Sequence, residues 1–96
     1  MKNLEDYRKE IDHLDEEIIR LLGERLKVCV DIKKYKEEYN INVEDKKRED
    51  DIKNKVLSYR ESEIIKDKIL EIYSGVIKAS KDIQMEKRDL DDFKAE

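Results

Sequence analysis

The chain has 96 residues, 50% charged and 38% hydrophobic, with two Gly, no Pro and a formal net charge of −4. That length suffices for one domain over residues 1–96, and the near absence of breakers favours an all-α protein. An acidic chain whose Lys and Arg are interspersed with Asp and Glu has solvated helix faces rather than the basic patch that nucleic acid or an anionic membrane requires.

The N-terminus, MKNLEDYRKE, lacks an apolar signal region, and no run approaches membrane-spanning length, so a cytoplasmic location is expected. The first helix is predicted from about 4 to 39, with Glu5 and Asp6 in its first turn to suit the helix dipole. Two apolar rows spaced by seven run along it. One is Leu4, Ile11, Ile18, Arg25, Ile32 and Tyr39; the other is Tyr7, Leu14, Leu21, Val28 and Tyr35. Together they form an a/d seam that packs on other helices. Arg25 takes a seat in this seam where an apolar residue belongs, and a buried guanidinium must be paired or bound to something negative. Gly23 interrupts the helix at a cost of ~1 kcal/mol relative to Ala, leaving room for close packing or for a ligand. Cys29 is the only cysteine, which excludes an intrachain disulfide and fits a reducing compartment; it flanks the seam as a small packed hydrophobe. His13 is the only histidine and has no second ligand at metal-binding spacing, so no metal is expected.

Residues 39–43, with two Asn, read as a short connection. Asp45 is a good N-cap for a second helix over about 46–58, which carries Arg48, Glu49, Ile52 and Val56 on roughly one face. A break follows at 58–62. Either Ser58 or Ser62 can cap the third helix, and Ser58 with Glu61 matches a capping box. The third helix is expected over about 62–88 and presents Ile65, Ile69, Ile72, Val76 and Ile83, with Tyr73 and Ile77 beside them; an acidic tail follows.

A first helix of about 35 residues is ~52 Å long, whereas a compact domain of this size has a radius of gyration of ~12–13 Å. The economical way to cover such a helix is a second copy of the chain, giving an entwined homodimer. Lys36 lies eleven residues after Arg25 and returns to within ~20° of the same helix face at ~16 Å axial separation, so both cations reach one small anion. Arg8 flanks the seam but lies ~42 Å from Lys36 along the helix. It can share that anion only from the partner of an antiparallel pair. On the third helix, Tyr73, Ile77, Ser80 and Gln84 step by 4, 3 and 4 along one face, so a hydroxyl and an amide continue an apolar row. Taken singly, each residue has a structural explanation: Arg25 paired with a core carboxylate, Lys36 snorkelling to solvent, Arg8 at the surface, Asp45 to Glu49 a cap and solvated turn, Ser80 and Gln84 leaving the core.

Taken together, Arg8, Arg25, Lys36, Asp45, Arg48, Glu49, Ser80 and Gln84 resemble the active-site pattern of the all-helical (AroQ-class) chorismate mutases. The stretch from Leu4 to Asp15 is similar to the family's L-x-x-x-R-x-x-I-D-x-L-D signature. Leu21 to Arg25 resembles L-L-x-x-R, Lys33 to Lys36 resembles K-x-x-K, and Asp45 to Glu49 resembles D-x-x-R-E. The resemblance runs from Leu4 to about Gln84. It implies three helices per chain in an entwined six-helix homodimer with two shared sites, converting chorismate to prephenate on the way to phenylalanine and tyrosine without metal, cofactor or covalent intermediate. By that pattern Arg25 and the other chain's Arg8 grip the substrate carboxylates. Lys36 and Gln84 donate to the ether oxygen, and Glu49 accepts from the ring hydroxyl. Asp45 and Ser80 complete the contacts, Arg48 touches the substrate or orients Glu49, and Ile32 and Ile77 form apolar walls. The chain departs from the pattern in a connection between the second and third helices about one residue shorter, and in having no Pro between the first and second. At its length it is expected to carry no fused dehydratase, dehydrogenase, synthase or regulatory domain. Two other readings compete: an isochorismate pyruvate lyase, which shares the fold and several cations, and a non-catalytic helical dimer or regulatory subunit.

Overall fold

A computed structural model describes residues 1–90, all of whose regular structure is helical: α1 (Leu4–Glu38), α2 (Lys46–Leu57) and α3 (Glu63–Gln84). The end of the expected acidic tail, residues 91–96, lies outside the described residues.

Each helix starts on a side-chain cap. The side chain of Asn3 accepts from the Asp6 N–H, and Asp6 returns the bond to the Asn3 N–H, closing a capping box that opens α1. At the other end Asn40 takes a left-handed φ of 52° and the Ile41 N–H reaches back to the Lys36 carbonyl at 2.8 Å. A left-handed residue followed by this closure is how many helices stop, and Asn tolerates it better than most residues. Asp45 caps α2 by accepting from the Arg48 N–H at 2.9 Å. Of the two candidate serines, Ser62 caps α3; Ser58 instead donates to the Lys55 carbonyl and ends α2.

The third helix ends at Gln84, short of the expected 88. The Met85 N–H closes the last turn, and beyond it the Glu86 carboxylate accepts from both the backbone N–H and the guanidinium of Arg88. That tight bracket between residues two apart holds the chain in a non-helical path.

The helix α3 packs against both α1 and α2. From α3 the inward side is built by Ile69, Leu70, Tyr73, Val76, Ile77 and Ser80, whereas Ile65 and Ile72 stay exposed. From α1 the residues that pack are Leu26, Cys29 and Val30, of which Cys29 and Val30 are buried. These flank the a/d rows rather than belonging to them. The rows themselves remain open: Leu4, Tyr7, Ile11, Leu14, Ile18 and Leu21 are 50–62% exposed. Among the described residues nothing lies within 4 Å of a Cβ built on Gly23, so α1 is not closely packed there by them. A radius of gyration of 16.7 Å and extents of 56 × 35 × 15 Å describe a long, flat layer rather than a ball. No helix among the described residues is long and apolar enough to cross a membrane.

Candidate active site

Where the C-terminal half of α1 faces the start of α2 and the end of α3, the three elements enclose a pocket of about 220 Å³. Its apolar side includes Val28, Cys29 and Ile32 from α1, Ile52 from α2 and Ile77 from α3. Its polar side brings together Arg25, Asp45, Arg48, Glu49, Ser80, Lys81 and Gln84. Thus six of the eight candidate residues, drawn from segments up to 59 positions apart, line one cavity.

The cap places two of them. Because Asp45 is spent on the Arg48 N–H, the first turn of α2 is held with Arg48 and Glu49 beside the cavity. Arg25 donates through Nη1 to the Ser80 hydroxyl, which in turn donates to the Val76 carbonyl at 2.8 Å. Ser80 is buried, so this chain of bonds anchors the guanidinium at the pocket wall. Gln84 donates through Nε2 to the Ser80 carbonyl at 3.2 Å, and its Oε1 is buried without a hydrogen-bond partner among the described residues.

Two candidates lie off the lining. Lys36 stands at the rim, its Nζ donating at 3.1 Å to the carbonyl of Val43, which itself lines the pocket. Arg8 is far out on α1, solvent-exposed and paired with Glu5 at 3.2 Å. At 1.5 Å per residue its Cα is ~25 Å from that of Arg25. Within one chain it takes no part in the pocket.

Charge pairing separates the site from the surface around it. Surface cations such as Arg20 and Lys78 sit on carboxylates of their own helix. Among the described residues, Arg25, Lys36 and Arg48 have no carboxylate partner. Pairing with a core carboxylate is therefore not what Arg25 does. Glu49 is compensated differently: Lys81 Nζ lies 3.1 Å from its Oε2 and 3.3 Å from Glu44 Oε2. The Glu49 contact is an ion pair without good hydrogen-bond angles at Oε2. Glu49, followed by Glu44, holds the Lys81 ammonium above its ordinary value, against an opposing effect of burial.

Lys81 escaped the sequence reading. It lies four residues after Ile77 and three before Gln84, on the edge of the same α3 face, but among so many lysines its spacing alone does not distinguish it.

The family model for chorismate mutase type II matches residues 7–85. The bifunctional chorismate mutase/prephenate dehydratase of Aquifex aeolicus (strain VF5) is 46% identical over 43 residues. That match covers 45% of this chain and only 12% of the relative's length. No solved structure gives a significant match. With the family model spanning most of its length, the chain belongs to the type II chorismate mutase family.

Proposed function

We propose that the chain is a chorismate mutase, converting chorismate to prephenate in aromatic amino acid biosynthesis as a homodimer with two sites. The observation that carries this reading is the set of cations, Arg25, Arg48 and Lys36, that have no carboxylate partner among the described residues and gather at one partly apolar pocket. A dianionic substrate supplies the missing counter-charge. In a pocket of low effective dielectric those contacts are stronger than in water.

The rearrangement is intramolecular, so the protein's task is to hold the enolpyruvyl arm over the ring and to stabilise the charge that develops. Arg25, anchored by Ser80, grips a carboxylate with a planar fork that matches it. The apolar walls, Ile32 and Ile77 among them, restrict the arm to a compact conformer and exclude water. As the C–O bond breaks, negative charge grows on the ether oxygen. Lys36 and the Gln84 amide, which donate to the Val43 and Ser80 carbonyls in the free chain, turn to that oxygen when substrate binds, and they stabilise the transition state more than the ground state. Glu49 accepts the ring hydroxyl, and Asp45, its carboxylate occupied by the cap, contributes through its backbone. Arg48 lies next to Glu49 in sequence and fills the substrate side of the same turn.

The dimer follows from the open seam. An apolar stripe over the first five turns of α1 is too long to stay in water at a favourable free energy. A second copy packed antiparallel covers it and brings the partner's Arg8 toward the pocket.

The decisive test is incubation of the purified chain with chorismate and, separately, with isochorismate. Loss of chorismate absorbance with formation of prephenate is expected. Release of pyruvate from isochorismate with no prephenate from chorismate would sink the mutase reading, and sedimentation as a monomer would sink the shared site.

A further inference from the structure

A carboxylate in a pocket for a dianion is an electrostatic problem. Glu49 is only 23% exposed, and a substrate carrying two negative charges would be repelled by it unless the charge is offset. Arg25 donates to Ser80 rather than to Glu49, Lys36 is turned to the Val43 carbonyl, and Arg48 makes no ion pair with Glu49. The only cation in contact with Glu49 among the described residues is Lys81, itself 29% exposed and reaching Glu44 as well. The three residues come from the α1–α2 connection, α2 and α3, so the bridge fastens all three segments at one edge of the pocket.

We propose that Lys81 is a positioning residue for the mutase reaction. It offsets the charge of Glu49 and fixes that carboxylate where it accepts the ring hydroxyl, leaving Arg25, Arg48 and Lys36 to the substrate's own charges. This inference rests on the mutase reading. It differs from a role in which Lys81 itself grips the substrate, because Lys81 then acts through Glu49 alone.

The experiment is a double-mutant cycle with Lys81→Met, Glu49→Gln and the double variant, read in kcat and KM for chorismate. Methionine keeps the aliphatic stem and the helix propensity while removing the charge. In the wild-type background Lys81→Met should lower kcat/KM about tenfold, the scale of a partly exposed, charge-assisted contact. Both a higher KM, from the uncovered Glu49 charge, and a lower kcat, from its lost orientation, are expected. In the Glu49→Gln background the same change should cost less than about twofold, because no carboxylate remains to offset. Prephenate binding by calorimetry across the same four proteins repeats the cycle where a variant turns over too slowly, with weaker binding expected only when Glu49 is present. Equal losses in both backgrounds would overturn the proposal in favour of direct contact with substrate. No loss in the wild-type background would overturn it too. A wild-type protein that makes no prephenate sinks the mutase reading together with this inference, whereas an active wild type with either of the other results sinks this inference alone.

Discussion

Replacing Arg25 with Met should separate catalysis from stability. The guanidinium is half-buried, anchored on Ser80, and has no carboxylate partner among the described residues. If it grips a substrate carboxylate through two charge-assisted bonds worth ~1.5–3 kcal/mol each, the loss is ~3–6 kcal/mol of transition-state binding. At about 1.4 kcal/mol per tenfold, kcat/KM should fall by about 10²–10⁴. The fold should hardly notice. Ser80 keeps its bond to the Val76 carbonyl, and the variant removes a positive charge that no protein carboxylate offsets. The net cost should stay within ~1 kcal/mol, or a shift in Tm of no more than about 5 °C. The assay is chorismate consumption alongside thermal unfolding by circular dichroism, at one protein concentration because the proposed dimer couples Tm to it. A rate within threefold of wild type removes Arg25 from the mechanism. A Tm lowered by more than about 15 °C with activity lost in proportion would make it a packing device after all.

Three further outcomes are expected. Mixing an Arg8→Ala chain with a Lys36→Ala chain should restore activity to well above either homodimer, since one hybrid site then carries both lesions and the other none; no recovery after proven subunit exchange counts against shared sites. Gly23→Ala should raise stability by ~1 kcal/mol, because a Cβ there meets nothing within 4 Å among the described residues and the helix gains propensity; a drop in Tm would mean that a partner helix comes close at that point. The Arg88 guanidinium beside Glu86 pulls its carboxyl down to about 2 from 4.5. A depressed carboxylate contributes stability that is present above its unfolded value and lost as pH falls through the folded one, so this contribution fades between about 4.5 and about 2. Carbon-detected NMR should place the Glu86 midpoint near the lower limit, and Arg88→Gln should raise it only part of the way toward the ordinary carboxylate range, because the backbone N–H at position 88 still donates to it.

The helices were legible because their causes are local. The seven-residue spacing from Leu4 to Tyr39, the Asn pair before Asp45 and the serines at 58 and 62 act within a few positions of themselves, and each produced the expected element or break. Other details were also local but finer: the Asn3–Asp6 capping box went unread, the choice between Ser58 and Ser62 as the cap was left open until the structure gave Ser62, and the Glu86–Arg88 bracket ends α3 earlier than expected. Of the six candidate residues that line one pocket, Arg25, Ser80 and Gln84 stood out as polar groups on otherwise apolar faces, whereas Asp45, Arg48 and Glu49 stood out as a polar cluster at the start of α2 and through the D-x-x-R-E resemblance.

By itself, then, the sequence determined three helices, an α1 too long for its own chain to cover, and one cation, Arg25, misplaced in an apolar row. Only the tertiary structure decided what those groups touch. Arg25 meets Ser80 across 55 positions and Lys81 meets Glu44 across 37, through crossings of helices that no periodicity along one helix specifies. The same holds for the open stripe from Leu4 to Leu21: its spacing announces that it must be buried, but only the packing of α3 onto Cys29 and Val30 leaves that stripe facing outward, free to take a second copy.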